Sequence, residues 1–306
     1  MSMEKKKILT AAACTALAAA VGLGVFALNR QSSEVPPFSE PEGFEVPTES
    51  VTTDILPENW EELIDLNTSP NGLSGRAESL LKVNKDVVGW LKIDGTVVDY
   101  PVVLDPGDVT AEMGYGGDYE SNSFYLEHDL YKNYLFQGTL FMDYRDVFGS
   151  CEEEQSENIV IHGHNMNNGS MFGALRQYRY DNYTFYDENP FIELSSNYRD
   201  YQYIIFGLVV TSGNAGADFP YWEMQELDTE PDFNGYVDTV KSLSMLDTGV
   251  DVKYGDKLLT LSTCYLDVDN SRFIVVARRL RDGETAGDVS SIVRTQDYLE
   301  AHKTQE

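Results

Sequence analysis

A cysteine that attacks a carbonyl needs a base or a nearby positive charge, and a donor for the oxygen that turns negative. Cys264 stands at the end of an apolar run in "KLLTLSTCYLDVDNSRFIVVARR" (257–279), just before an acidic bend. The histidines are His128, His162, His164 and His302. Two of them fall in "IVIHGHNMNNGSMFG", where an apolar run ends in a Gly/Asn-rich loop, so they are displayed at a strand end. Their alternate spacing also suits a metal, but no CxxC, HExxH or second His pair completes a ligand set, so neither a metal nor a cofactor is expected. Arg272 follows Cys264 by eight residues. If "YLDVDNS" turns the chain as a hairpin, the two lie on adjacent antiparallel strands near the same end. A guanidinium there stays charged and offers several donors, to a thiolate or to a developing oxyanion. It is equally suited to a surface ion pair with Asp267 or Asp269. Spacing alone leaves Cys264 open as core thiol, partner of Cys151 in a bridge, metal ligand or nucleophile.

The elements that must position these residues read as mostly β. Short β-rich runs cover 87–93, 96–104, 139–144, 158–163, 191–195, 201–212, 257–264 and 272–280, punctuated by Gly, Asn, Asp and Pro. Helical spacing marks 55–67 and 74–86 before them, and 170–178 and 231–246 between them. In the last, Phe233, Val237, Val240 and Leu243 make an apolar stripe. No repeat or α/β alternation is visible, and a closed barrel or a sandwich fits. The tail 281–306 is polar, with a short helix expected within "VSSIVRTQDYLEAH".

The ends and the charge bound the setting. "ILTAAACTALAAAVGLGVFAL" (8–28) is uncharged and long enough to cross a bilayer, and Lys5, Lys6 and Lys7 precede it. Residues 1–30 are therefore expected to form a cytoplasmic N-terminus and a signal anchor in the cell membrane, with the folded region extracellular; the alternative, a cleaved signal peptide, finds only a poor cleavage site in "FALNRQSS". Residues 31–53 carry four prolines and many acids and read as a linker; the folded region is expected over 54–280. The formal net charge of -29 repels phosphate backbones and argues against nucleic acid as a partner. Three cysteines are too few for a disulfide framework.

"TLSTC", followed after a bend by "RFIVVA", resembles the active-site strand pair of sortases, the cell-surface transpeptidases of Gram-positive bacteria. "GHNMNNGSMFGAL" resembles the histidine loop of the class B branch, and "NKDVVGWLKIDGTVVDYPVV", "FYLEHD" and "GTLFMDYR" follow that branch in order. The resemblance covers about 74–280. It implies a mainly β fold, a closed eight-stranded barrel with an N-terminal helical extension and inserted helices. It implies Cys264 as nucleophile, His164 as general acid/base and Arg272 as oxyanion or substrate arginine, with His162 a packing neighbour. The reaction implied is cleavage of a C-terminal sorting signal after Thr, through a Cys264 thioester. The protein is then passed to a cell-wall peptide amine or a pilin lysine. Leu126, Tyr221 and Trp222 are implied in the peptide groove. Ser262 and Thr263 line the strand beside the thiol, and alternation turns one of them toward the substrate; the Tyr265 main-chain N–H is the expected second oxyanion donor. A dyad plus arginine is expected, without a third residue orienting His164. A thiol hydrolase using water and a catalytically silent surface scaffold are the alternatives. The sorting-signal sequence is not legible, because 213–256, which would read it, is the least transferable segment.

Overall fold

The runs of Val, Ile, Leu and aromatic residues punctuated by turn formers become eight strands: β1 (Val87–Lys92), β2 (Asp99–Leu104), β3 (Leu140–Met142), β4 (Asn158–His162), β5 (Phe191–Ser196), β6 (Asp200–Ser212), β7 (Leu258–Tyr265) and β8 (Ser271–Arg279). They close into a barrel in the order β1-β2-β3-β4-β7-β8-β6-β5, with β5 pairing back onto β1. The computed structural model describes residues 72–179, 183–214, 216–217, 219–265 and 270–293. The apolar segment 8–28, the linker 31–53, the expected helix 55–67 and the tail beyond residue 293 lie outside the described residues. Among the described residues no helix is long and apolar enough to cross a membrane.

Two of the eight pairings are parallel, β2 with β3 and β4 with β7. Parallel neighbours need long crossovers, and both crossovers carry site residues. The first runs from the end of β2 through the 3-10 helix Phe124–Leu126 to β3. The second spans β4 to β7 and holds the histidine loop, the strands β5 and β6, and the helices between. Apolar side chains of all eight strands fill the interior as one buried cluster, the expected outcome for a small closed barrel.

Helix α1 (Gly75–Val83) starts where the Ser74 hydroxyl accepts a hydrogen bond from the Ala77 N–H at 3.1 Å. The segment read as helical at 170–178 is a 3-10 helix, Phe172–Arg179, with every residue buried. A short helix α2 (Thr184–Glu188), absent from the sequence reading, follows it. Helix α3 (Glu230–Leu243) carries the expected stripe with one change. Phe233, Tyr236, Val237 and Val240 are buried, whereas Leu243 is 46% exposed. Leu243 is the last helical residue and overhangs the end of the packed face. Helix α4 (Ala286–Val293) lies in the polar tail, yet Val289 joins the core. Arg281 pairs with Asp251, Asp256 and Glu284, which ties the start of that tail to the barrel.

Candidate active site

Cys264 and Arg272 are direct cross-strand partners in the antiparallel β7–β8 pair. The hairpin expectation therefore holds for their register; residues 266–269 of the connection, including Asp267 and Asp269, lie outside the described residues. Alternation along β7 exposes Cys264 and buries its neighbours Thr263 and Tyr265. Cys151 and Cys264 are both free thiols and both exposed.

His164 arrives from the other side of β7. Strand β4 runs parallel to β7 with His162 opposite Ser262, so two residues further on the chain passes Cys264. Three hydrogen bonds then lock the histidine loop to β7. Gly163 N–H donates to the Ser262 carbonyl at 3.1 Å, the Thr263 hydroxyl donates to the Gly163 carbonyl at 2.7 Å, and the Asn165 amide donates to the Cys264 carbonyl at 2.7 Å. Glycine is required at 163, because a Cβ there would meet Leu140 Cδ2 at 2.4 Å and Phe172 Cδ2 at 2.8 Å. The His164 ring stacks on Phe136, centroids 5.8 Å apart and planes within 13°. Its Nε2 is buried without a hydrogen-bond partner among the described residues, and no described carboxylate bonds the ring.

Arg272 is half-buried, with Nη1 donating to Asn270 Oδ1 at 3.3 Å and to the Ser271 carbonyl at 3.2 Å. No described carboxylate pairs with it. Gly213 makes room for the guanidinium, since a Cβ at that position would lie 2.8 Å from Arg272 Cζ.

These three side chains share an open groove of about 340 Å³ with Asn122, Leu126, Phe141, His162, Gly163, Gly213, Tyr221, Trp222, Ser262 and Thr263. Leu126, Tyr221, Trp222, Ser262 and Thr263 all line this groove. Ser262 and Thr263 differ in role. The Ser262 hydroxyl shares a 2.6 Å hydrogen bond with the Tyr221 hydroxyl, while the Thr263 hydroxyl is directed to the histidine loop. Burial pushes the Tyr221 phenol up to about 12, against the opposing pull of Ser262 and the Arg272 charge, so it stays a neutral hydroxyl. The Tyr265 side chain is elsewhere: its ring lies under the Arg179 guanidinium at 4.2 Å and its hydroxyl accepts from Arg179. Strand alternation turns it away from Cys264, and Tyr265 is not among the residues that line the groove.

Several site residues escaped sequence reasoning. Asn122 sits in a long irregular crossover, just outside the "FYLEHD" stretch. Phe136 looks like any loop aromatic, although it is 61% exposed on top of His164. Gly213 and Gly163 announce themselves only through the atoms they admit.

Comparison with known proteins agrees with this geometry. A Sortase domain family model matches residues 132–280. Sortase B of Listeria monocytogenes is 33% identical over 203 residues, which cover 66% of this chain and 72% of that protein. The crystal structure of Clostridium perfringens sortase B superposes with a TM-score of 0.56 at 27% identity, covering 67% of this chain and 99% of that one. A Staphylococcus aureus sortase B–substrate complex superposes with a TM-score of 0.57 at 26% identity, covering 73% of this chain and 92% of that one.

Proposed function

The chain belongs to the sortase family, in its class B branch, and from that premise we propose that it is a cell-surface cysteine transpeptidase in which Cys264, His164 and Arg272 carry the chemistry. The observation that supports this most directly is the Cys264–Arg272 cross-strand pair, with His164 displayed in the same groove. The substrate is a sorting-signal peptide. Cys264 Sγ attacks the carbonyl carbon of a Thr–Gly or Thr–Asn bond, and Arg272 faces the oxygen that turns negative. The C–N bond breaks, His164 gives its proton to the departing amine, and a Cys264 thioester remains. An amine from a wall peptide or a pilin lysine then attacks the thioester carbonyl. His164 takes the proton of that amine, the C–S bond breaks, and the thiolate returns. Leu126, Tyr221 and Trp222 line the peptide's path, and the Tyr265 main-chain N–H serves as the second oxyanion donor. The segment 8–28 holds the enzyme in the membrane.

Incubation with a peptide library bearing Thr–Gly and Thr–Asn bonds, with and without an added amine, tests the reading by mass spectrometry. A Cys264 adduct short by the leaving peptide is expected, and an amide product when the amine is present. Cys264→Ala and His164→Ala should each abolish transfer, and full transfer by Cys264→Ala would end the proposal.

A further inference from the structure

The groove that holds Cys264 and Arg272 is also walled by Asn122, His162 and Trp222. They come from three separate parts of the chain: the β2–β3 crossover, the end of β4, and the 3-10 helix Tyr221–Glu223. One buried carboxylate lies behind all three. Asp143, 0% exposed, follows β3 and accepts from the Asn122 amide at 2.7 Å. It receives the Arg145 guanidinium as a fork, Nε at 2.8 Å and Nη2 at 2.7 Å, and the Arg145 N–H at 3.1 Å. His162 Nε2 stands 3.8 Å from the same carboxylate. The Arg145 Nη2 also donates to the Trp222 carbonyl, so the fork reaches from the barrel to the wall. Asn122 is held at its other end too, its Oδ1 accepting from Tyr144 N–H at 3.1 Å.

A carboxylate taken out of water is strongly unfavourable unless its lone pairs are fully used, and here they are used on groups that line or brace the groove. Burial alone would push the Asp143 carboxyl up, but the Arg145 fork and the neighbouring His162 outweigh it and hold it well below the usual carboxylate range. The group is therefore a fixed negative charge at any working pH. Arg145 matches it because a guanidinium bonds a carboxylate through two parallel N–H groups and still has a donor for Trp222.

We propose that Asp143 and Arg145 are a positioning pair that fixes the Asn122–His162–Trp222 wall, and thereby sets how tightly the peptide arm is held. The inference rests on the transpeptidase reading for its kinetic consequence, not for its structural one. Neither residue reaches Cys264, so the pair acts on binding and leaves the reacting atoms alone.

Arg145→Lys keeps the charge next to Asp143 but loses the fork and the reach to Trp222. Asp143→Asn keeps the shape and loses the charge. In the full-length, detergent-solubilised chain, both should raise KM for a sorting-signal peptide about tenfold while kcat stays within about twofold. Alkylation of Cys264 by iodoacetamide should proceed at the wild-type rate. With 5-fluorotryptophan incorporated, the Trp222 fluorine resonance should shift or broaden in both variants while that of Trp90 stays in place. An unmoved Trp222 resonance in both variants overturns the proposal, and so does a fall in kcat with slowed Cys264 alkylation at constant KM. If the wild-type chain turns over no sorting-signal peptide, the enzymatic reading fails by itself. The fluorine spectra then still decide whether the pair holds the wall.

Discussion

At Arg272, shape matters as much as charge. Its Nη1 is engaged by Asn270 and the Ser271 carbonyl, while Nε and Nη2 make no hydrogen bond among the described residues. Those donors are the ones available to an oxyanion on Cys264, its cross-strand partner. Lysine would bring the charge but not the planar, pre-set donors. Removing one oxyanion donor commonly raises the barrier by about 3 kcal/mol, a loss on the order of a hundredfold in rate. Arg272→Lys is therefore expected to lower kcat by about that factor with KM little changed, and Arg272→Ala by no less. Single-turnover acylation of the wild type and both variants with a sorting-signal peptide measures it. An Arg272→Lys enzyme acylating at the wild-type rate would show that charge alone suffices. His164 is held differently: by the loop bonds on one side and the Phe136 ring on the other.

The next scale is the element, where the two parallel pairings matter most. Strand β4 delivers His164 only because it lies beside β7 in register, and Gly163 is the joint between strand and loop. Gly163→Ala forces a Cβ into Leu140 and Phe172. Overpacking of that kind costs about 1–3 kcal/mol, and a displacement passed to the next residue is a displacement of His164. Lower stability in urea is expected together with a loss of kcat of about tenfold or more. Gly149→Ala, where a Cβ would meet nothing within 4 Å, should change neither. The strands themselves were legible, since β-rich apolar runs bounded by turn residues mark every one of them. Their order was not, because pairing between distant segments leaves no periodic trace. The β2–β3 crossover was opaque for a related reason: Asp105, Asn122, Asp143 and His162 acquire meaning only when folding brings them together. In the sequence Asp143 is one acid among 51 Asp and Glu residues, and nothing local tells a buried carboxylate from a solvated one. Cys264, His164 and Arg272 could be singled out as candidates because cysteines and histidines are few and stand at strand ends, while their roles rested on the resemblance.

Across the whole molecule, buried acids give stability a distinctive pH dependence. Asp146 is buried, its Oδ2 accepts from Val160 N–H at 2.7 Å, and its Oδ1 has no partner among the described residues. Asp105 is similar: Oδ1 accepts from the Gly107 and Asn122 N–H groups, and Oδ2 has no partner among the described residues. Burial raises both carboxyls above the ordinary range, Asp146 by much the more. A group whose folded pKa lies above its unfolded value adds stability that is complete below the unfolded pKa. That stability is lost as pH rises through the folded one. Stability should therefore increase as pH falls from neutrality toward the ordinary carboxylate range. Asp143 has the opposite sign, since its stabilisation is present above the unfolded pKa and fades only in far stronger acid. The net charge of -29 reinforces the rise on mild acidification, because protonating surface acids relieves self-repulsion. The two contributions separate in Asp146→Asn, which imitates the protonated side chain and leaves the surface as it was. Urea midpoints between pH 7.5 and 5 should climb less steeply with acidification in this variant than in the wild type. Removing one titrating site takes away at most about 1.4 kcal/mol per pH unit. Equal slopes would mean that Asp146 is ionised in the folded barrel and that surface repulsion and Asp105 drive the effect.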